Sequence, residues 1–372
     1  MIEVREVKTK KEQKEFLDFP LRLYKGNPYF VPPLYMEEKK LFRKDYIYYD
    51  TCDAVYFNAY KNGKIAGRIS GICQRASNEI NHEKRIRFTR FDSINDKKVA
   101  KALFDAVEDW GRSLGMDTIC GPMGFSDLER EGLLVEGFYE ISTFEEQYNA
   151  SYYQDLIENL GYEKEVDWLE SKIYVPDEPD DSLQKLSDFV MKRYKLHFGE
   201  ADSKQEFLDK YQERFFNLLD TAYAGLYGTV PFTDNMKKMM IENFNMILDL
   251  NHLAVILTED EKMVCMGLCF PSLSKAVQKS YGHLTPAALA RLYKSIHHPK
   301  VLDLGLIAVD PEYINRGLNA IIAAELMRML REDGIEYAET NLNQETNFAI
   351  QNQWKRFKAV QHKRRRAYIK KL

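Results

Sequence analysis

"VLDLGLIAVDPEYINRGLNAIIAAELMRMLREDG", residues 301–334, decides the fold of this chain. An aliphatic run closes at Val309, a proline and a turn follow, and the lone glycine Gly317 precedes an amphipathic pattern that stops on Gly334. The spacing predicts a strand up to Val309 and a helix from Pro311 to Gly334. A helix start leaves several N–H groups without partners and carries partial positive charge. A glycine beside it lets the backbone approach an anion, so this junction is a candidate phosphate cradle. The plain alternative is an ordinary helix start with Arg316 in solvent.

Outward from this stretch, "YAETNLN" (337–343) reads as the next strand and "TNFAIQNQWKRF" (346–357) as a helix. Upstream lie a hairpin, "LAVILTEDEKMVCMGLCF" (253–270), and an inserted helix, "TPAALARLYKSIHHP" (285–299), with Thr285 at its cap and Pro286 at its first position. The first half of the chain repeats this order. A hairpin turns on Asn62-Gly63, a strand runs over 85–94, a helix ends on Gly115, and a strand and a last helix ending on Gly161 follow. Asn149 and Asn347 stand at the start of the two last helices, so an internal duplication is expected. The first half alone carries the insertion "GFSDLEREGLLVEGFYEISTFEEQ" (124–147). Pro176 and the acidic "DEPDD" mark the best boundary, giving an N-terminal domain over 1–176 and a C-terminal domain over 177–372.

The totals allow this: 372 residues exceed the size of one usual core, and a composition 45% hydrophobic and 30% charged demands no disorder. A net charge of −4 argues against nucleic acid as a partner. The five cysteines form no CxxC pair and read as buried thiols in a reducing, cytoplasmic setting. No apolar run reaches the roughly 18 residues of a membrane span. The histidines show no metal-binding spacing, so no metal is expected. The C-terminal run "KRFKAVQHKRRRAYIKK" (355–371) reads as an edge strand with solvated cations, with an anionic ligand, tRNA or a membrane surface as alternatives.

This order of elements resembles the GCN5-related N-acetyltransferase (GNAT) superfamily, twice in tandem. The resemblance implies an α/β (α+β) fold of two GNAT-like domains, each a mixed, mostly antiparallel twisted sheet flanked by helices. It also implies acetyl-CoA or another acyl-CoA as co-substrate. In that family a strand ending near V-x-P, here Val309-Asp310-Pro311, gives backbone groups of Ile307, Ala308 and Val309 to the pantetheine and to the oxyanion. A loop [Q/R]-x-x-G-x-[G/A] then wraps the pyrophosphate. Gly317 matches its central glycine, Ile314 replaces the Gln or Arg, and Asn319 replaces the last Gly or Ala. By resemblance Asn315, Arg316, Gly317, Leu318 and Asn319 form the cradle, and Asn347 is placed to contact the cofactor or to cap its helix. The first half's loop, "FDSINDKKVA" (91–100), has no glycine and brings Asp92 and Asp96, so CoA binding is expected only in the second half.

Acyl transfer to an amine needs a base, oxyanion donors and a source of a proton for the thiolate. Glu339 on the 337–343 strand is the expected base, with Asn341 and Asn343 on the same face by alternation. Glu136 in the insertion is a second catalytic candidate, read as buried or facing the amine. Trp354 stands where the family places its tyrosine acid, and an indole cannot serve. The reading is an acyl-CoA-dependent N-acyltransferase acting on a small-molecule or peptide amine. Its alternatives are a non-catalytic ligand- or partner-binding protein and an aminoacyl-tRNA-dependent transferase.

Overall fold

The computed structural model describes residues 1–177 and 181–372; residues 178–180 of the acidic boundary lie outside the described part. The strands are β1 (Ile2–Glu6), β2 (Cys52–Lys61), β3 (Lys64–Gln74), β4 (Arg85–Ser93), β5 (Thr118–Gly121), β6 (Leu133–Glu136), β7 (Glu163–Tyr174), β8 (His197–Phe198), β9 (Leu253–Leu257), β10 (Met263–Pro271), β11 (Val301–Val309), β12 (Tyr337–Thr340), β13 (Asn343–Gln344) and β14 (Lys358–Lys371). The helices are α1 (Lys10–Leu23), α2 (Tyr35–Lys40), α3 (Arg75–Asn81), α4 (Lys97–Ser113), α5 (Tyr152–Glu158), α6 (Ser182–Tyr194), α7 (Lys204–Tyr223), α8 (Asp234–Ile247), α9 (Ser274–Lys279), α10 (Pro286–His297), α11 (Leu318–Glu332) and α12 (Phe348–Gln353).

All fourteen strands join one sheet, in the order β1-β2-β3-β4-β5-β14-β7-β12-β11-β10-β9-β8, with β6 on β14 and β13 on β7. Each half is hairpin-built and antiparallel except for one parallel pair: β4 with β5, and β11 with β12. The halves exchange their last strands. β7, from the first half, pairs with β12 of the second, while β14, the last strand of the chain, pairs with β5 of the first. β14 and β7 then run antiparallel along their whole lengths, from Lys358 opposite Tyr174 to Ile369 opposite Glu163.

This corrects the edge-strand reading of the C-terminal run. β14 lies in the middle of the sheet, with Lys363 and Arg365 buried beside Ala367 and Tyr368. Its alternating cations face carboxylates of β7: Arg364 and Arg366 meet Asp167, and Lys363 and Arg365 meet Glu170. A strand whose charges are paired inside the sheet has the same sequence pattern as one whose charges are in water.

Helices cover both faces of the sheet. In the first half α4 buries Val99, Leu103, Phe104 and Val107 against Ile69, Phe88 and Phe91. Gly67 and Gly71 on β3 allow that contact: a Cβ there would lie 2.8 Å from Leu103 and 3.0 Å from Trp110. In the second half α7 and α8 place Phe207, Phe215, Phe216 and Met240 over Met266, Leu268 and Phe270. α11 covers the opposite face with Ile321, Ala324 and Leu330. Burying each such aromatic or branched side chain contributes about 1.5–3 kcal/mol before chain entropy is charged against it.

Candidate active site

Gly305 is where the sheet of the second half opens. β10 and β11 pair as Leu268 with Leu306 but Cys269 with Leu304, so Gly305 is an extra residue in β11. A Cβ on it would lie 2.5 Å from the Phe270 ring, a clash only glycine avoids. β12 accompanies β11 only from Val301 to Leu304, and beyond that point no strand lies on that side of β11 among the described residues. Asn341 bridges the gap by donating its amide to the Gly305 carbonyl at 2.6 Å. On the other side the Tyr223 hydroxyl donates to the Ile307 carbonyl at 3.1 Å.

On the α11 side the parted strands open onto a shallow, solvent-open groove. Leu304 and Leu306 form its floor, Ile322 and Leu326 of α11 one wall, and Ile350, Gln353 and Trp354 the other. Trp354 is held by a hydrogen bond from its ring N–H to Asn343 at 3.0 Å. Gln353 was not read as a site residue. Its amide oxygen and nitrogen are both buried without a hydrogen-bond partner among the described residues, on the wall of an apolar groove. Such a group matches a ligand that offers one donor and one acceptor, as a secondary amide does. The sequence gives no signal for it, since Gln353 stands among the polar residues Gln351, Asn352, Lys355 and Arg356.

The cradle is shorter on helix than its sequence predicted. Pro311–Tyr313 form a single 3-10 turn, Asn315 takes φ 67° and Gly317 φ 87°, and α11 begins only at Leu318. Two left-handed residues two positions apart, Asn315 and Gly317, break the helical path that the continuous pattern predicts. Gly317 is the N-cap and makes no side-chain cap bond. Arg316 is exposed, its guanidinium 4.6 Å from the Tyr313 ring centre and 5.7 Å from that of Tyr194. Asn319 is half-buried and Leu318 buried. Asn347 caps α12 by accepting from the Ile350 N–H at 3.2 Å, the structural one of its two expected roles.

The equivalent helix start of the first half is closed. Asp96 caps α4, accepting from the Lys98 and Val99 N–H groups at 2.9 and 3.4 Å, so a carboxylate of the chain occupies the place an anion would take. Asp92 is buried in an ion pair with Arg68 at 2.8 Å.

On the opposite face of the sheet, beside the parted strands, lies a cluster of ionisable groups. β14 carries a bulge between Gln361 and Lys363, which turns His362 and Lys363 toward the same face. Gly137 backs the bulge so closely that a Cβ would lie 2.3 Å from the His362 carbonyl. Lys363 bonds Glu339 and lies 3.1 Å from Glu170; His362 lies 3.2 Å from Glu339 and 3.6 Å from Glu140. Arg365 binds Glu170 at 2.6 Å and stands 3.6 Å from Glu146. Burial alone would raise the Glu339 pKa, but Lys363 and His362 outweigh it and hold the group at about 2.

Two neighbours behave in the opposite way. Asp303, register partner of Glu339 on β11, has one carboxyl oxygen buried without a hydrogen-bond partner among the described residues. Burial, then Glu339 and Glu145, push it well above the usual carboxylate range. Glu146 also has an unpartnered oxygen, and burial, assisted by Glu170 and Glu145 against the pull of Arg365, pushes it up to about 8. Glu145, next in sequence to Glu146, is exposed. Lys172 pairs with Glu140 at 2.7 Å, whereas Asp303 has no cation paired with it among the described residues, a condition that an incoming ammonium relieves.

The structure does not bring the two catalytic candidates together. Glu339 is in this cluster. Glu136 is not buried as its sequence setting allowed: it is 59% exposed on the other face of the central strands, 3.1 Å from Arg364 in a separate network around Asp167. Asn341 and Asn343 line the groove rather than sharing the face of Glu339, because β12 ends at Thr340 and alternation stops there. Among the described residues no three His, Cys, Asp or Glu side chains are grouped to hold a metal, and the five cysteines are free and buried.

Bulged β11, its parting from β12, and the repetition of the whole arrangement define a tandem GNAT fold. The solved structure of a tandem GNAT protein from the clavulanic acid biosynthesis pathway superposes over all of this chain and 98% of its own, with a TM-score of 0.54 at 10% identity. The GCN5-related glucosamine N-acetyltransferase region of a fungal multi-domain GH3 beta-N-acetylglucosaminidase gives a TM-score of 0.58 at 12% identity, over all of this chain and 38% of that one. In sequence, the chain is 28% identical to Protein YghO of Escherichia coli K12, over 99% of this chain and 95% of that protein. It is 26% identical to the bacterial ceramide synthase of Caulobacter vibrioides, over 77% of this chain and 74% of that protein. No protein-family model matches the sequence.

Proposed function

We propose that this protein is an acyl-CoA-dependent N-acyltransferase whose donor lies in the α11 groove of the second half and whose amine acceptor lies among the carboxylates on the opposite face. The observation that carries this is the parting of β11 from β12 at Gly305, with an apolar groove on one side and the carboxyl group of Asp303, without a paired cation among the described residues, on the other. Backbone groups of Ile307, Ala308 and Val309 hold the pantetheine arm and the oxyanion. Asn315, Arg316, Gly317, Leu318 and Asn319 receive the pyrophosphate, and the Gln353 amide reads an amide of the arm.

Asp303, rather than Glu339 or Glu136, is the base. A carboxylate pulled down to about 2 by Lys363 and His362 is a poor proton acceptor, whereas Asp303 has a free oxygen and a raised pKa. Asp303 takes a proton from the ammonium, and the neutral nitrogen attacks the thioester carbonyl. A C–N bond forms, the C–S bond breaks, and the thiolate leaves; the second proton, shed by the nitrogen as the amide forms, passes through water to the thiolate. A thiol pKa near 8.5 makes it a tolerable leaving group without the tyrosine that Trp354 replaces. Glu339 fixes Lys363 and His362 beneath the acceptor. The ceramide synthase among the relatives supports an amine as acceptor.

The test is release of free CoA thiol from acetyl- and long-chain acyl-CoA, followed with a thiol-reactive dye against a panel of primary amines. The expected result is release that depends on the amine. No amine-dependent release with any donor would overturn the reading.

A further inference from the structure

The excursion between β10 and β11 is unlike the rest of the surface. From Ser272 to Leu302 the chain has five Lys or Arg residues and no Asp or Glu, in a protein whose net charge is −4. Within it α10 is anchored on one side only: Leu292 and Ile296 pack on the buried cluster of Val31, Leu273 and Val277. Its other side turns apolar side chains into solvent. Leu289 is 53% exposed and Tyr293, one turn on, 66%; Tyr281 and Leu284 in the preceding loop are 46% and 37% exposed. Lys294 and Lys300 are exposed beside them.

We propose that α10 and the flanking residues 281–300 dock this protein on an anionic lipid bilayer. A helix apolar on both sides and flanked only by cations is the pattern of an element that lies in a membrane interface, with its aromatic and aliphatic tips in the headgroup region. Four exposed apolar side chains are too few for a stable protein interface, which buries more than about 1,200 Å² in total. The uniform positive charge complements anionic headgroups. No helix among the described residues is long and apolar enough to cross a membrane, so the contact is peripheral.

The position also deepens the proposed transfer reaction, on which this one point rests. The excursion leaves the sheet at Pro271 and returns at Val301, where the Ser272 N–H donates to the Val301 carbonyl at 2.9 Å, two residues from Asp303. Docking there sets the carboxylate cluster beside the bilayer, which suits an amphiphilic amine.

The full chain is sedimented with phosphatidylcholine vesicles containing about 30 mol % phosphatidylglycerol, and with phosphatidylcholine alone, at low salt and at about 0.5 M salt. Binding to the anionic vesicles only, weakened by salt, is expected. The double variant Leu289→Ser/Tyr293→Ser is expected to bind at least about tenfold more weakly, and Lys294→Gln/Lys300→Gln roughly 25-fold more weakly. All four side chains are exposed, so unchanged melting curves separate lost docking from lost fold. No vesicle binding, binding that neither double variant alters, or capture of a labelled RNA in preference to vesicles would overturn the proposal. Thiol release by soluble amines is independent of it, so the two readings can fail separately.

Discussion

Replacing Lys363 by methionine is expected to lower folding stability by about 3–5 kcal/mol. The ammonium has no exposed surface, and it neutralises Glu170, also fully buried, and Glu339, nearly so. Methionine fills a similar volume, so the loss measures the removal of one cation from two buried carboxylates, with Glu170 keeping Arg365 and Glu339 keeping His362, rather than a cavity. Adding Glu339→Gln to Lys363→Met is expected to recover part of it, because one stranded charge is then gone. The pH dependence has a defined sign. The folded pKa of Glu339 lies at about 2, below its ordinary value of 4.5. Its stabilisation is present above pH 4.5 and is lost as the pH falls through 2. The gap between wild type and Lys363→Met should therefore narrow on acidification. Denaturant unfolding at several pH values measures this, and a loss under about 0.5 kcal/mol, typical of an exposed lysine, would contradict the buried network.

Asp303→Asn is expected to lower kcat/KM for the amine by about 10²–10⁴, with the affinity for acyl-CoA unchanged. The substitution keeps the size of the side chain and removes its proton affinity. Glu136→Gln is the control, because that side chain is on the far face with Arg364, and it should leave the rate within about twofold. Steady-state rates of the three proteins decide this. Equal rates for Asp303→Asn and wild type would remove Asp303 from the chemistry and leave the cluster as a structural network.

Much of the fold was legible because hydrophobic period and turn residues set each element locally. The Asn62-Gly63 hairpin, the paired 253–270 hairpin and the helices ending near Gly115 and Gly334 are of this kind. The exchange of β7 and β14 was not legible. Pairing partners across a sheet are chosen by tertiary complementarity, and the alternation of Lys363, Arg364, Arg365 and Arg366 carries no record of Asp167 and Glu170, two hundred residues earlier. The site divides in the same way. Gly317 could be read, since a glycine before a helix announces positive φ. Gly305 carried a usable signal, because a glycine inside a strand marks a bulge or a close approach. His362 had none, since an extra residue in a strand shows only in its register. Asp303 carries no signal that sets it apart from Glu339, because the sequence does not show which of two neighbouring carboxylates a lysine neutralises.

The central claim is that one acyl-CoA binds per chain, in the second half, with its phosphates at the Gly317 cradle. Calorimetric titration of acetyl-CoA and a long-chain acyl-CoA into wild type, Gly317→Trp and Asn319→Asp tests it most directly. The account predicts a single site per chain in wild type, lost in Gly317→Trp and at least about tenfold weaker in Asn319→Asp, where a carboxylate would face the phosphates. No binding of any acyl-CoA, or binding that both variants leave unchanged, would contradict it.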